Sequence, residues 1–420
     1  MYGASIMTIT VNSEQLCHEL ERLASFTDAP PPAVTRIVFS KTDLAARAYI
    51  KELCSAADLV IREDSIGNLF ARWRGLEPDL PAIGTGSHAD AIPYAGWYDG
   101  TVGVLGGLEA IRALQRSGYQ PRRSIELVMF TSEEPTRFGI GCLGSRLMSG
   151  SLTVERARAL ADSDGRSLDQ VRTAAGFAGA LDDAVLPGGY YEAFLEMHVE
   201  QGPVLEQRNL SVGVVTAIAA PASWRIWIEG EGGHAGTVLM PHRHDAFLGA
   251  AEIGLAVESA AKSTGAIDTV ATVGVCEVFP GAVNSIPSRV KIEIDVRDID
   301  LARRDSVLGA IDRACDAIVE RRGIRVRKEV LNADPPAKSS LRAIDTLTQS
   351  CEVFGIPCLP MVSRAYHDSL FMSRITEVAM LFIRCRAGIS HRPDEYASPE
   401  DLATGTRVLA QALAQLSSEP

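Results

Sequence analysis

Five short motifs place histidines and acids where a simple turn would need neither: GSHAD (His88, Asp90), WYDG (Asp99), FTSEEPTRFG (Glu133, Glu134), EMHVEQGP (His198, Glu200, Gln201) and GISHRPDEY (His391, Glu395). Imidazole and carboxylate are the ligands a borderline divalent ion such as zinc or manganese takes. Two such ions held close together need one carboxylate to bridge them and a position left open for water. Each motif alone has an ordinary reading. A His before a turn is a satisfied loop residue, Glu-Glu opens a solvated helix, and Asp-Gly makes a turn. Placement shifts the balance. Glu133 and Glu134 follow directly on the apolar run SIELVMF, where solvated acids have no folding purpose, and His198 closes a run that begins YYEAF.

These motifs need a frame in which strands and helices alternate. The pattern predicts a helix over Ser13–Thr27, a Pro-rich break at DAPPPAV, a helix over Lys41–Ala56, and strands over Asn68–Trp73 and Ala82–Thr85. A helix over Gly103–Ser117 and a strand over Ser124–Thr131 follow; 151–187 reads as helical cover and YYEAFLEMHV as another strand. This is an α/β fold with a mixed, largely parallel sheet, whose active site is expected at the carboxyl ends of strands. Near residue 217 the pattern changes. VGVVTAIAA and SWRIWIEGEG read as strands, His244–Ser263 as a helix, TVATVGVCEVF and RVKIEIDVRD as strands, Leu301–Arg321 as a helix and IRVRKEV as a strand. That order predicts a smaller α+β domain, ferredoxin-like, with a four-stranded antiparallel sheet and two helices on one face. The break NADPPAKSS returns the chain to the first domain. The expected division is a catalytic domain in two parts, 1–217 and 334–420, with 218–333 inserted between them.

Composition narrows the function. A chain of 420 residues, 46% hydrophobic and 22% charged, is globular and long enough for two domains. A net charge of −12 argues against nucleic acid as the main partner, which would need a basic face. It does not exclude an anionic substrate, because a few local cations can reverse the field in one pocket. No apolar run reaches the roughly 18 residues of a spanning helix, so no membrane is expected. MYGASIMTITVNSEQL lacks the basic and greasy regions of a signal peptide, and Met7 is a candidate alternative start. Eight cysteines without a CxxC read as reduced thiols of a cytoplasmic protein.

The motifs GSHAD, YDG, TSEEPTRFG, MHVEQGP, GGHAG, GAVNSIPS, DVRDID and SHRPDEY occur in an order that resembles one family over nearly the whole chain. It is the group of metal-dependent amidohydrolases that includes allantoate amidohydrolase, N-carbamoyl-L-amino-acid hydrolase and ureidoglycolate amidohydrolase, within the aminoacylase-type metallopeptidases. GSHADAIPYAGWYDGTVGVLG, GVVTAIAAPAS, HAGTVLMP and SRAYHDSLFM resemble the ureidoglycolate branch most. The resemblance implies two divalent ions per subunit, with manganese first and zinc or cobalt as alternatives. His88 and His198 would serve one ion, Glu134 and His391 the other, and Asp99 would bridge them. Asp90 would orient His88 by accepting its remaining N–H. Glu133, beside an occupied ligand, would be the general base. The implied reaction is hydrolysis of the ureido C–N bond of (S)-ureidoglycolate in purine (allantoin) catabolism. Allantoate or an N-carbamoyl amino acid is the alternative substrate.

The insert adds His234 in EGGHAGT, Asn284 in GAVNSIPS and Arg297 at the end of KIEIDVR. On their own these read equally as a loop His, a turn Asn and a surface Arg beside Asp295 or Asp298. The resemblance makes the insert a dimerisation or lid domain of a homodimer. It makes His234 an oxyanion stabiliser that reaches the neighbouring subunit's site, and Asn284 and Arg297 substrate ligands. Arg suits a planar carboxylate because its fork binds both oxygens. Gln201 would bind the amide end of the substrate. SRAYHDS departs from the small residues that other branches carry around His367. Arg364 and Tyr366 should narrow the pocket, with the Tyr366 hydroxyl near the substrate or its ring packed inward. His242 and His244 in MPHRHDA form an HxH that flanks a helix start and reads as solvent-facing.

Overall fold

In the computed structural model, which describes residues 8–419 and so leaves Met7 outside, the run IELVMF forms the strand Ile125–Phe130, buried at every position. A strand covered on both faces has no reason to alternate apolar with polar residues. Ile125, Leu127 and Met129 enter one apolar cluster, and Val128 and Phe130 enter another on the opposite face. In spatial order the sheet runs Val60–Glu63, Leu69–Trp73, Ile125–Phe130, Ala82–His88, Tyr191–Val199, Glu377–Ile383, Val212–Ile218, with Cys358–Ser363 also paired to the last. The four central strands are parallel to one another. Both flanks are antiparallel. The flank Val60–Glu63 and Leu69–Trp73 is joined by only the short turn 64–68, which permits an antiparallel neighbour and no other. The sheet is therefore mixed, and its parallel part is the centre.

The helix Thr101–Arg116 covers one face, and the C-terminal helix Pro399–Ser418 feeds the same apolar cluster. The glycines of GVLGG let the first of these helices lie close on the sheet. A Cβ at Gly103 would stand 2.4 Å from the Met197 carbonyl, and one at Gly106 2.1 Å from the Met197 methyl. The cover 151–187 is made of the short helices Val154–Arg158 and Leu168–Ala174 and a single tight turn at Leu181–Ala184. A capping box of Ser167 and Gln170 starts the second of them.

The chain divides into two compact units, residues up to 216 with those from 339 onward, and 217–338. In the second unit the order is strand Ala220–Glu229, helix Ala246–Ser263, strands Val270–Phe279 and Arg289–Asp298, helix Leu301–Arg322, strand Arg325–Ala333. The four strands form one antiparallel sheet. VGVV does not start this sheet as its pattern suggested. Val212–Ile218 pairs with Glu377–Ile383 in the large sheet, where Val212 to Val215 are all buried. Along Arg289–Asp298, buried Val290, Ile292, Ile294 and Val296 alternate with half-buried Lys291, Glu293, Asp295 and Arg297. The apolar face packs under both helices and the other is polar. The segments entering and leaving the unit run side by side, Ala337 and Lys338 pairing with Ile218 and Ala217. Among the described residues no helix is long and apolar enough to cross a membrane.

Candidate metal centre

Because the central strands are parallel, their carboxyl ends share one edge of the sheet. His88 is the last residue of Ala82–His88, and His198 the last but one of Tyr191–Val199. Glu133 and Glu134 follow Phe130 after a turn in which Ser132 takes a left-handed φ of 56°. Asp99 precedes the helix Thr101–Arg116, and His391, at φ 57°, lies in the loop after Glu377–Ile383.

Four of these six, His88, His198, Glu134 and His391, meet around Asp99. His198 Nε2 lies 3.1 Å and His88 Nε2 3.5 Å from Asp99 Oδ1. On the other oxygen, His391 Nε2 lies 3.0 Å from Asp99 Oδ2 and 3.2 Å from Glu134 Oε1. Two triplets result, His88–Asp99–His198 and Asp99–Glu134–His391, each with donor atoms within 4.8 Å of one another. The donor set fits divalent ions. His88 Nδ1 is 3.1 Å from the Asp90 carbonyl and His198 Nδ1 2.9 Å from the Val199 carbonyl. With Nδ1 donating there, Nε2 is the ring nitrogen that both turn toward Asp99, and the one that can take an ion once its own proton has left.

The electrostatics match a site that holds positive charge. Burial pushes the Asp99 carboxyl up, but hydrogen bonds from His198, His391 and His88 outweigh it and hold the carboxyl well below its usual range. His391 is raised to about 11 by Asp99 and Glu134. Burial pushes Glu133 well above the ordinary carboxyl range, against the pull of His88. Burial, with His198 beside it, lowers His367 well below the usual imidazole range, so that ring stays neutral.

Several neighbours make contacts that their motifs did not announce. The Asp90 carboxylate accepts the amides of Glu133 and Glu134, both at 3.1 Å. Its backbone carbonyl, rather than its side chain, is the nearer partner of His88, the carboxylate oxygen lying at 3.6 Å. Gln201 donates through Nε2 to Asp99 Oδ2 at 2.8 Å. Glu200 caps the helix Val204–Arg208 by accepting the amides of Val204 and Leu205. Glu395, a motif residue given no role from sequence, accepts the amides of Tyr98 and Asp99 at 2.8 and 3.1 Å. Ser390 joins Glu395 Oε1 to Asp99 Oδ2 at 2.7 and 2.8 Å. Burial raises Glu395 to about 7. The spacing of Ser390, His391 and Glu395 within one loop was the available signal. Gly100 completes the frame: at φ 65°, a Cβ would stand 2.4 Å from His88 Nε2.

His367 is buried, its ring centre 4.5 Å from that of His198 and its Nε2 2.8 Å from Ser363 Oγ. Tyr366 is half-buried, 6.1 Å from Phe371 and under the Arg146 guanidinium, while Arg364 is exposed. In the second unit, exposed His234 pairs with Ser285, and the next amide, Ala235, donates to the Asn284 carbonyl at 2.9 Å. Arg297 donates to Asp295 at 2.8 Å. It stands eight residues beyond Arg289, where its strand starts beside that loop, roughly 26 Å along at a strand's rise. His234 and Asn284 are thus neighbours and Arg297 is not. Of the HxH pair, His242 is exposed, whereas His244 is half-buried with its Nδ1 2.8 Å from the Arg322 carbonyl.

Residues 85–415 match the profile of Peptidase family M20/M25/M40. The chain belongs to that family. It is 51% identical over 417 residues to ureidoglycolate hydrolase of Arabidopsis thaliana, covering 98% of this chain and 88% of that protein. It is 37% identical over 411 residues to an N-carbamoyl-L-amino-acid amidohydrolase of Pseudomonas sp. (strain NS671), covering 97% and 99%. The crystal structure of AtUAH in complex with (S)-hydroxyglycine superposes with a TM-score of 0.88 at 50% identity, covering 97% of this chain and 98% of that one. This M20 member is a hydrolase with a mixed α/β fold and two His/Asp/Glu clusters suited to divalent metal, one wholly buried and one reaching the exposed His391.

Proposed function

We propose that the chain hydrolyses (S)-ureidoglycolate at its ureido C–N bond, consuming one water overall and yielding glyoxylate, carbon dioxide and two molecules of ammonia, one from the carbamate and one lost from the hydroxyglycine left behind. The observation that carries this reading is Asp99 set between two His/acid triplets with Glu133 beside them. The likeness to ureidoglycolate hydrolase and to a structure with (S)-hydroxyglycine supports the substrate. His88, Asp99 and His198 would hold one ion, and Asp99, Glu134 and His391 a second, with manganese proposed ahead of zinc or cobalt. Such ions would supply charge that acidifies a water and polarises the ureido carbonyl. Glu133 takes the proton of the attacking water and passes it to the departing nitrogen. Arg297 binds the substrate carboxylate; Asn284, Gln201, Tyr366 and His367 contact the remainder, and His234 donates to the developing oxyanion.

The separation of His234 from Arg297 within one chain supports a homodimer. A small ureide is far shorter than that span, so one chain's Arg297 and its partner's His234 would share a substrate. The second unit offers a surface for pairing: the edge strand Val270–Phe279 and exposed Phe247, Leu248 and Leu255 on one helix. All eight cysteines are free, which supports a cytoplasmic setting.

Ammonia release by metal-analysed protein tests the proposal. Turnover of (S)-ureidoglycolate well above that of allantoate and N-carbamoyl amino acids supports it. Faster turnover of either competitor overturns the substrate, and activity unchanged after complete metal removal overturns the mechanism.

A further inference from the structure

We infer that Cys142 is a positioning residue for Glu133, holding one carboxylate oxygen so that the other faces the water to be deprotonated; this rests on the general-base reading above. The amides of Cys142, Leu143 and Gly144 donate in turn to the carbonyls of Glu133, Ser132 and Thr131 at 2.7, 2.9 and 2.8 Å. This ladder leaves little slack between the two segments. A Cβ at Gly141 would stand 2.8 Å from the Glu133 carbonyl, so the chain between them can close only on glycine. Ser132 and Cys142 both take left-handed φ values, 56° and 55°, which residues with side chains adopt where their surroundings hold them.

From that frame Cys142 Sγ donates to Glu133 Oε1 at 3.3 Å. Glu133 Oε2 lies 3.8 Å from His88 Nε2, on the side of the ligands. Cys142 is wholly buried, and burial, with the Glu133 carboxylate adding, pushes its thiol well above the ordinary range. The sulfur therefore keeps its proton and remains a donor. A thiol is also a weak acceptor, so the contact survives when Glu133 has gained its proton. A base that must return the proton in a defined direction needs its unused oxygen held through both states.

The test compares Cys142→Ala and Cys142→Ser with the parent enzyme and repeats Cys142→Ala in a Glu133→Gln background. Expected is a kcat roughly three- to tenfold lower for Cys142→Ala, the size of one modest hydrogen bond. KM and bound metal should be unchanged. Cys142→Ser, whose hydroxyl donates in the same direction, should restore most of the rate. In the Glu133→Gln background the alanine should add no further loss. An infrared S–H stretch absent in Cys142→Ser and shifted in Glu133→Gln reports the contact even if the alanine variant fails to fold. Full kcat in Cys142→Ala with loss of rate in Glu133→Gln overturns the inference alone, as does an unshifted S–H band. Full activity in Glu133→Gln overturns the reading beneath it.

Discussion

The two triplets share Asp99 and differ in how the rest of each is held. His88 and His198 ride on neighbouring strand ends, are buried, and have Nδ1 fixed by backbone carbonyls. His391 sits in a loop, with its side chain 45% exposed and a left-handed backbone. Positions on a sheet are more precisely held than positions on loops. One half of the centre is therefore set by the fold itself, and the other depends on the loop 390–395 being pinned by Ser390 and Glu395.

Replacing the shared residue should erase the difference. Asp99→Asn removes the charge that both triplets use, and we expect both ions lost and activity at background, the largest effect of any single change here. Retention of one tightly bound ion, measured by elemental analysis, would show the halves to be independent. Glu133→Gln should leave both metals bound while kcat falls about 10²–10⁴-fold, the range for loss of a general base. Equal loss of metal would move Glu133 into the ligand set. Glu395→Gln should act on one half more than the other. It loosens the amides of Tyr98 and Asp99 and the Ser390 bridge, so the ion on the His391 side should bind about 10–100-fold more weakly, as for other groups that orient ligands. Stepwise chelation monitored by metal release would check this, and equal weakening of both ions would refute the asymmetry.

The same asymmetry governs what the sequence reveals. GSHAD, TSEEPTRFG and MHVEQGP are legible because each follows an apolar strand whose end the parallel sheet must bring to one edge. Asp99 gains meaning only as partner to these, since Asp-Gly alone is a turn. The support around them is not legible. Cys142 meets Glu133, and Glu395 meets Asp99 across 296 residues, through contacts that no spacing rule encodes. The resemblance pairs Asp90 with its sequence neighbour His88, yet its carboxylate accepts amides more than 40 residues away. In the second unit alternation along Arg289–Asp298 announced an antiparallel sheet with one covered face. The uninterrupted VGVV could not say which sheet it joins, because period alone does not separate a strand buried on both faces from other apolar runs.

The smallest effect concerns protons. In metal-free protein His391 lies between Asp99 and Glu134 and is raised to about 11, so at about pH 8 it carries a proton. A histidine can ligate only when neutral, so loading must expel that proton, and affinity should climb with pH up to that value. Burial acts against protonation of His88 and His198, but acids raise both, Asp90 and Asp99 acting on His88 and Asp99 on His198, so the buried triplet should release protons too. Calorimetric titration with manganese in buffers of different ionisation enthalpy counts the total. The count should be positive, and His391→Ala should lower it while leaving release at the buried triplet intact. An unchanged count would mean that His391 is neutral before metal arrives, and that the exposed half of the centre is held open by solvent rather than closed by its own ion pairs.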